Sequence, residues 1–77
     1  MKAKEMFEKL EYELVDTNSS GVKLTIIEYY NYETTSSITF WTPTNIDVDL
    51  ENHEYLTAKL IQAINKQAKE LGWLDNE

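Results

Sequence analysis

Hydrophobic residues follow a helical spacing at both ends of the chain. One apolar stripe predicts a short helix over residues 2–10, and a longer stripe predicts the main helix over residues 53–71. The first stripe consists of Ala3, Met6, Phe7 and Leu10, and the second of Leu56, Leu60, Ala63, Ile64 and Leu71. Gly72 comes after the second stripe, where a left-handed residue commonly ends a helix, and Trp73 is then expected to fold back on the last turn.

Apolar and polar residues alternate in the middle of the chain, which is typical of strands. The alternation is weak over residues 12–17 and clearest over residues 22–30, and a turn-forming stretch at 18–21 joins the two as a hairpin. A third strand is predicted over residues 38–42. Residues 46–50 alternate as well, and they form either a short fourth strand or an extended lead-in to the main helix.

The element order predicts a single α+β domain over residues 1–77. Its architecture is a short N-terminal helix, an antiparallel meander of three strands (four if residues 46–50 pair) and a long C-terminal helix, with both helices on one face of the sheet. The expected core consists of Met6, Phe7, Leu10, Leu14, Val22, Leu24, Ile26, Ile38, Phe40, Leu56, Leu60, Ile64 and Leu71.

The same alternation predicts an aromatic surface on the other face of the sheet. If Val22, Leu24 and Ile26 face the helices, their neighbours in the strand point outward. The candidate partner-binding residues are therefore Ile27, Tyr29 and Trp41, joined by Tyr30 and Tyr32 at the strand end. Tyrosine and tryptophan are favoured at binding hot spots. The alternative is that the fourth segment or a loop covers these side chains and makes them a satellite core.

Charge changes this picture by disfavouring nucleic acid as a partner. The chain has 14 acidic residues against 7 basic ones and a net charge of −7. All the basic residues are lysine, so there is no arginine fork for phosphate or guanine. The absence of cysteine favours a reducing compartment, and no segment has the length and apolarity of a signal peptide or a membrane span. We therefore expect a cytoplasmic protein that does not bind membranes.

Catalytic and metal-binding patterns are incomplete. The chain has one histidine, His53, and the position four residues later, where a zinc-protease helix carries its second ligand, is Thr57. Asn45, Asp47 and Asp49 are spaced by two, but the glycine and the distal glutamate of a calcium loop are missing. A nucleophile also requires an activating base. We expect no enzymatic activity, no bound metal and no cofactor.

Three segments resemble a family of small uncharacterised proteins from Gram-positive bacteria and their phages. They are residues 3–10 (AKEMFEKL) followed by Tyr12 and Glu13, residues 38–41 (ITFW) and residues 63–73 (AINKQAKELGW). The resemblance implies a phage, prophage or mobile-element setting and the same order of elements, and it carries no catalytic motif. Similar proteins tend to have glycine after the first helix where this chain has Glu11, so the first helix is expected to end differently here.

Two functional hypotheses follow from these observations. The first is a non-enzymatic module that binds an unknown protein partner or a second copy of itself through the aromatic sheet face. The second is a nucleic-acid-directed role, in one of two senses. Either the lysines of the main helix (Lys59, Lys66 and Lys69) and stacking aromatic rings hold a single strand, or the acidic middle of the chain mimics DNA.

Overall fold

The structure is a computed structural model that describes residues 1–19, 25–42 and 44–74. The described residues form two helices and four strands in the order α1, β1, β2, β3, β4, α2. Their bounds are α1 Ala3–Lys9, β1 Glu13–Ser19, β2 Thr25–Asn31, β3 Ser36–Trp41, β4 Asn45–Asp49 and α2 Ala58–Glu70. The predicted core residues Val22 and Leu24, and residues 20 and 21 of the predicted turn, lie outside the described residues.

The strands form an antiparallel sheet in which sequence neighbours are also neighbours in space. The order is β1-β2-β3-β4, and each adjacent pair is antiparallel. This confirms the predicted α+β class and the meander. It also decides between the two interpretations of residues 46–50, because Asn45–Asp49 pairs with β3 as a fourth strand.

The main helix begins five residues later than the hydrophobic stripe predicts. Thr57 is its N-cap, and the Thr57 hydroxyl oxygen accepts a hydrogen bond from the Leu60 N–H at 3.1 Å. Asn52 and His53 have φ angles of 52° and 67°, which a right-handed helix does not allow. The prediction that Leu56 is a core residue was therefore wrong, because Leu56 lies before the helix and is 49% exposed.

The C-terminal end of α2 has the predicted glycine turn. Gly72 is left-handed, with φ 78°, and its N–H donates to the Lys69 carbonyl at 2.9 Å. The Trp73 N–H donates to the Ala68 carbonyl at 2.9 Å. These two bonds define a Schellman motif, in which the residue after the glycine folds back on the helix. Trp73 accordingly packs against the hydrophobic core.

The end of α1 repeats this motif without glycine. Glu11 has a φ angle of 71°, and its N–H donates to the Glu8 carbonyl at 3.1 Å. The Tyr12 N–H donates to the Phe7 carbonyl at 3.0 Å. The expectation that Glu11 would make this helix end differently was wrong. The chain accepts a left-handed glutamate, and the motif turns Tyr12 into the core, where it is 1% exposed.

The core centres on a stack of two aromatic rings from α1 and β2. The rings of Phe7 and Tyr29 are nearly parallel, with centroids 3.9 Å apart, and both side chains are buried. The Tyr29 hydroxyl donates to the Gln67 side-chain oxygen of α2 at 2.6 Å. Of the predicted core residues, Phe7, Ile38, Phe40 and Leu60 are buried, and Met6, Leu10, Leu14, Ile64 and Leu71 pack against them. For these nine residues the prediction is confirmed.

Candidate partner-binding face of the sheet

Strand register separates the sheet into two faces. Directly opposed residues of antiparallel strands lie on the same face. We call the face that carries Tyr29, Ile38 and Phe40 the inner face, because these side chains are buried. The opposite face is the outer face. On this face, strands β2, β3 and β4 contribute Ile26, Glu28, Tyr30, Ser37, Thr39, Trp41, Asn45, Asp47 and Asp49.

Two of the five candidate residues are on the inner face, so their predicted outward placement was wrong. Tyr29 is 2% exposed, and Ile27, opposite Phe40, packs against the core. Ile26, predicted to be a core residue, lies on the outer face opposite Trp41 and is half-buried. A shift of one residue in the alternation exchanges the two faces of a strand. The error arose because residues 26–30 carry large apolar side chains on both faces of β2.

Trp41 lies on the outer face as predicted. It ends β3 between Ile26 of β2 and Asn45 of β4, and its side chain is 38% exposed. The indole N–H donates to the Asp47 carboxylate at 3.0 Å. This hydrogen bond orients the ring relative to β4 and leaves part of its surface open to a ligand.

Tyr30 and Tyr32 form a second aromatic group at the other end of the outer face. Their ring centroids are 4.7 Å apart in an edge-to-face arrangement, and Tyr32 is 63% exposed. The turn that carries Tyr32 is held by the Asn31 side-chain oxygen, which accepts from the N–H groups of Glu33 and Thr34 at 2.9 and 3.1 Å.

The two aromatic groups are separated along the strands. Tyr30 is four positions from Ile26, the partner of Trp41, which corresponds to roughly 13 Å of strand. The three outward residues of the prediction, Trp41, Tyr30 and Tyr32, therefore form two groups at opposite ends of the outer face.

A row of acidic side chains occupies the space between the two aromatic groups. Glu28, Thr39 and Asp47 are directly opposed across β2, β3 and β4, and Asp49 lies one row further along β4. None of the four described strands contains lysine. Sequence reasoning placed Asp47 and Asp49 on one side of an extended chain but missed Glu28 as their neighbour. The sequence carried part of this signal, because Lys23 is the single lysine of the strands predicted over residues 12–17, 22–30, 38–42 and 46–50.

The Asp49 carboxylate also perturbs its neighbour Glu51. A side-chain hydrogen bond to Asp49, together with the repulsion of its negative charge, raises the pKa of Glu51 above its ordinary value. Glu51 is therefore protonated more readily beside Asp49 than an isolated glutamate is. Within residues 1–19, 25–42 and 44–74, no group of three or more acidic or histidine side chains is placed to hold a metal ion.

The titratable groups buried beneath the inner face are tyrosines. Burial raises the pKa of Tyr29 to about 12, and the negative charges of Glu70 and Glu8 add to the shift. Burial also raises the pKa of Tyr12, whose hydroxyl donates to the Glu54 carboxylate at 2.9 Å. Both hydroxyls hold hydrogen bonds and belong to side chains of the buried core, not to the outer face.

A separate groove lies between the two helices. It encloses about 320 Å³, and its lining residues are Met1, Met6, Lys9, Leu10, Lys59 and Gln62. Its two lysines, Lys9 and Lys59, belong to α1 and α2, outside the four strands. In the part of the chain that the structure describes, no helix has the length and apolarity to cross a membrane.

Comparisons of the chain with protein-family models, with curated proteins and with solved structures found no match. The resemblance to small proteins of Gram-positive bacteria and their phages therefore stays a prediction. The functional argument consequently depends on the geometry of the outer face alone.

Proposed function

We propose that this chain is a non-enzymatic interaction module that binds a basic segment of a partner protein on the outer face of its sheet. The observation that carries the proposal is the acidic row of Glu28 and Asp47, which lies between Trp41 at one end and Tyr30 with Tyr32 at the other. Acidic and aromatic side chains together are complementary to arginine and lysine.

The proposal takes both helices to lie against the inner face, which leaves the outer face uncovered. Two contacts of one inner-face residue support this placement. Phe7 of α1 stacks on Tyr29, and Gln67 of α2 accepts a hydrogen bond from the Tyr29 hydroxyl. The exposed fractions of Trp41 and Tyr32, 38% and 63%, agree with an open outer face.

Guanidinium groups fit the arrangement in two ways. A planar guanidinium stacks on an aromatic ring, which contributes roughly 0.5–1 kcal/mol at an exposed site. The same group donates paired hydrogen bonds to a carboxylate. Asp47 lies within hydrogen-bonding distance of the Trp41 indole, so one arginine side chain could engage both residues. Rim charges mainly increase association rate and specificity, so we expect binding that weakens with salt.

A titration monitored by NMR tests the proposal directly. The isotope-labelled chain is titrated with a capped peptide of alternating arginine and serine, and with the same peptide carrying glutamate in place of arginine. We expect the arginine peptide to shift the amide signals of Glu28, Thr39 and Asp47, and the glutamate peptide to leave them unchanged. Raising the salt concentration should weaken the effect.

Matched variants separate the outer face from the rest of the surface. Trp41→Ala and Glu28→Gln should each weaken binding several-fold, while Tyr55→Ala, which removes a 73% exposed tyrosine outside the sheet, should have no effect. Shifts confined to the helices, or equal affinity for the two peptides, would contradict the proposal.

A second candidate is an acidic mimic of DNA, which the same row of carboxylates favours. A mimic acts through charge, so it should tolerate Trp41→Ala and lose activity with Glu28→Gln. The two candidates are therefore distinguished by the tryptophan variant. Competition between this chain and a labelled duplex for a basic DNA-binding protein, measured at several salt concentrations, provides the readout.

A further inference from the structure

The two edges of the sheet differ in how they are protected from further pairing. On β1, the register shifts between Leu14 and Asp16, which leaves Val15 as an irregularity of the edge strand. Such bulges interrupt an edge and discourage another strand from joining it. On β4, the pairing with β3 is regular over five consecutive residues, Asn45–Asp49. Alternate N–H and C=O groups of a regular edge strand point away from the sheet and can receive another strand.

Apolar and acidic side chains alternate along β4, and the side chains of a neighbouring strand could be complementary to them. Ile46 and Val48 lie on the inner face, opposite the fully buried Phe40 and Ile38, yet they are 37% and 41% exposed. The apolar rows of the inner face thus continue to the edge, where Ile46 and Val48 are partly exposed within the described residues. Asp47 and Asp49 alternate with them on the outer face, and both are exposed.

Pairing of β4 with a second copy of itself is electrostatically unfavourable. A two-fold axis perpendicular to the sheet keeps the faces aligned, and the register in which all five residues overlap places Asp47 opposite Asp47 of the other copy. Like charges in direct opposition destabilise a strand pair. A strand with lysine or arginine at these positions would instead form cross-strand ion pairs.

We propose that β4 accepts an extended partner segment as a fifth strand, and that this segment alternates apolar residues with lysine or arginine. The apolar side chains lie beside Ile46 and Val48, and the basic side chains lie beside Asp47 and Asp49. Main-chain hydrogen bonds provide affinity and the alternating side chains provide specificity, as in other cases of strand addition. The inference rests on the proposed function for the basic character of the partner, and adds its conformation and its site.

The test uses a capped peptide of about seven residues, a usual strand length, that alternates lysine and valine. A second peptide has the same residues in a non-alternating order. A third and a fourth peptide have the alternating sequence, with N-methyl groups at the odd-numbered amides in one and at the even-numbered amides in the other. We expect the alternating peptide to bind and to slow amide exchange at alternate residues of β4. One of the N-methylated peptides should bind roughly tenfold more weakly, because its edge-facing donors are lost.

A charge exchange supplies an independent readout on the protein side. Asp49→Lys changes an exposed side chain, so it should leave the fold intact. We expect this variant to lose affinity for the lysine–valine peptide and to gain affinity for a glutamate–valine peptide. Glu11→Lys, a charge change at an exposed residue after α1, is the matched control and should leave both affinities as they were.

The outcomes distinguish the two proposals. Equal binding of all the lysine peptides, with chemical shifts on the outer face and no protection of β4, would overturn the fifth strand and leave the proposed function standing. Absence of binding by every basic peptide would overturn both. Dimerisation of the free chain, detected by sedimentation and accompanied by slowed amide exchange in β4, would also overturn the inference.

Discussion

The two faces of the sheet use aromatic residues in opposite ways. On the inner face, Tyr29 stacks on Phe7 and is 2% exposed. On the outer face, Trp41 is 38% exposed, and its polar atom bonds to a surface carboxylate. Tyr29 and Trp41 both belong to the two central strands of the sheet, so their aromatic character alone did not decide whether they are buried. The decisive difference is which neighbours the strand register supplies.

The comparison also separates stability from recognition. Away from the exposed β4 edge, the side chains of the inner face are buried, and they are expected to contribute mainly to the free energy of unfolding. The outer face carries charge and partly exposed rings, which contribute little to folding and are available for binding. Variants on the two faces should therefore have effects that differ in kind.

The largest expected effect is that of truncating Phe7. Phe7→Ala removes a fully buried ring and its stack with Tyr29, which should cost about 3–5 kcal/mol of unfolding free energy. In a chain of this size that loss approaches the whole stability. Chemical denaturation monitored by circular dichroism measures it. The matched variant Tyr32→Ala, at a 63% exposed position, should change stability by less than about 1 kcal/mol. Similar losses in the two variants would remove the distinction between the faces.

The second effect is a loss of stability at alkaline pH. An unfolded tyrosine releases its proton near the ordinary pKa of 10.0, whereas Tyr29 in the folded chain keeps it until about pH 12. Between these two pH values, the unfolded state has lost a proton that the folded state retains, so rising pH favours unfolding. Below pH 10, Tyr29 is protonated in both states, and its contribution to the free energy of unfolding is constant. Between pH 10 and pH 12, the ionisation of Tyr29 alone should lower the free energy of unfolding by about 3 kcal/mol, which is about 1.4 kcal/mol per pH unit.

Denaturation curves recorded across the alkaline range measure this dependence. Tyr12, whose pKa is also raised by burial, should steepen the loss. Tyr29→Phe removes one titrating group, so its stability should fall less steeply with pH than that of the parent chain. A pH dependence identical in the two proteins would show that Tyr29 titrates normally and is not buried in solution.

A third, smaller effect concerns the hydroxyl of Tyr29 itself. Tyr29→Phe keeps the ring but leaves the Gln67 oxygen, in a 6% exposed side chain, without the hydroxyl that now donates to it. The expected cost at neutral pH is about 1–2 kcal/mol. Tyr30→Phe, the matched change on the outer face, should stay within about 0.5 kcal/mol. Thermal melts of the two variants compare them, and a reversed order would contradict the assignment of faces.

Sequence patterns predicted the order and type of the elements, because long apolar stripes and strand alternation report burial directly. Gly72 at the end of α2 was predictable for the same kind of reason, since its left-handed turn requires a particular residue. It was not predictable in this way which residues of β2 face the core. Residues 26, 27, 29 and 30 are all large and apolar, so alternation fits either face.

The choice between the faces of β2 depended on a tertiary partner, the Phe7 ring, which no local pattern contains. The structure has Trp41 and Tyr30 on the outer face, as predicted, but it has Tyr29 on the inner face, contrary to the prediction. The acidic row of the outer face was also missed, because Glu28 and Asp47 become neighbours only through β3. The start of α2 was misplaced since a hydrophobic stripe carries no information about the left-handed residues Asn52 and His53.

The smallest effects are expected at Glu11 and Thr35, two left-handed residues in turns beside aromatic residues. Glu11 directly precedes Tyr12 of the core, and Thr35 belongs to the turn that carries Tyr32. A left-handed conformation costs a residue with a Cβ roughly 1 kcal/mol or more relative to glycine. Glu11→Gly should therefore stabilise the chain by about 1 kcal/mol, measured by chemical denaturation.

Thr35→Gly relieves the same backbone strain but also removes the Thr35 hydroxyl, which accepts from the Asn52 side chain at 3.1 Å and donates to the Thr34 carbonyl. The two contributions oppose each other, so the net change should be smaller than that of Glu11→Gly. An equal or larger gain in Thr35→Gly would show that these hydrogen bonds do not stabilise the turn. The hydrogen bonds from Glu33 and Thr34 to the Asn31 side-chain oxygen would then be the contacts that hold this turn and keep Tyr32 beside Tyr30.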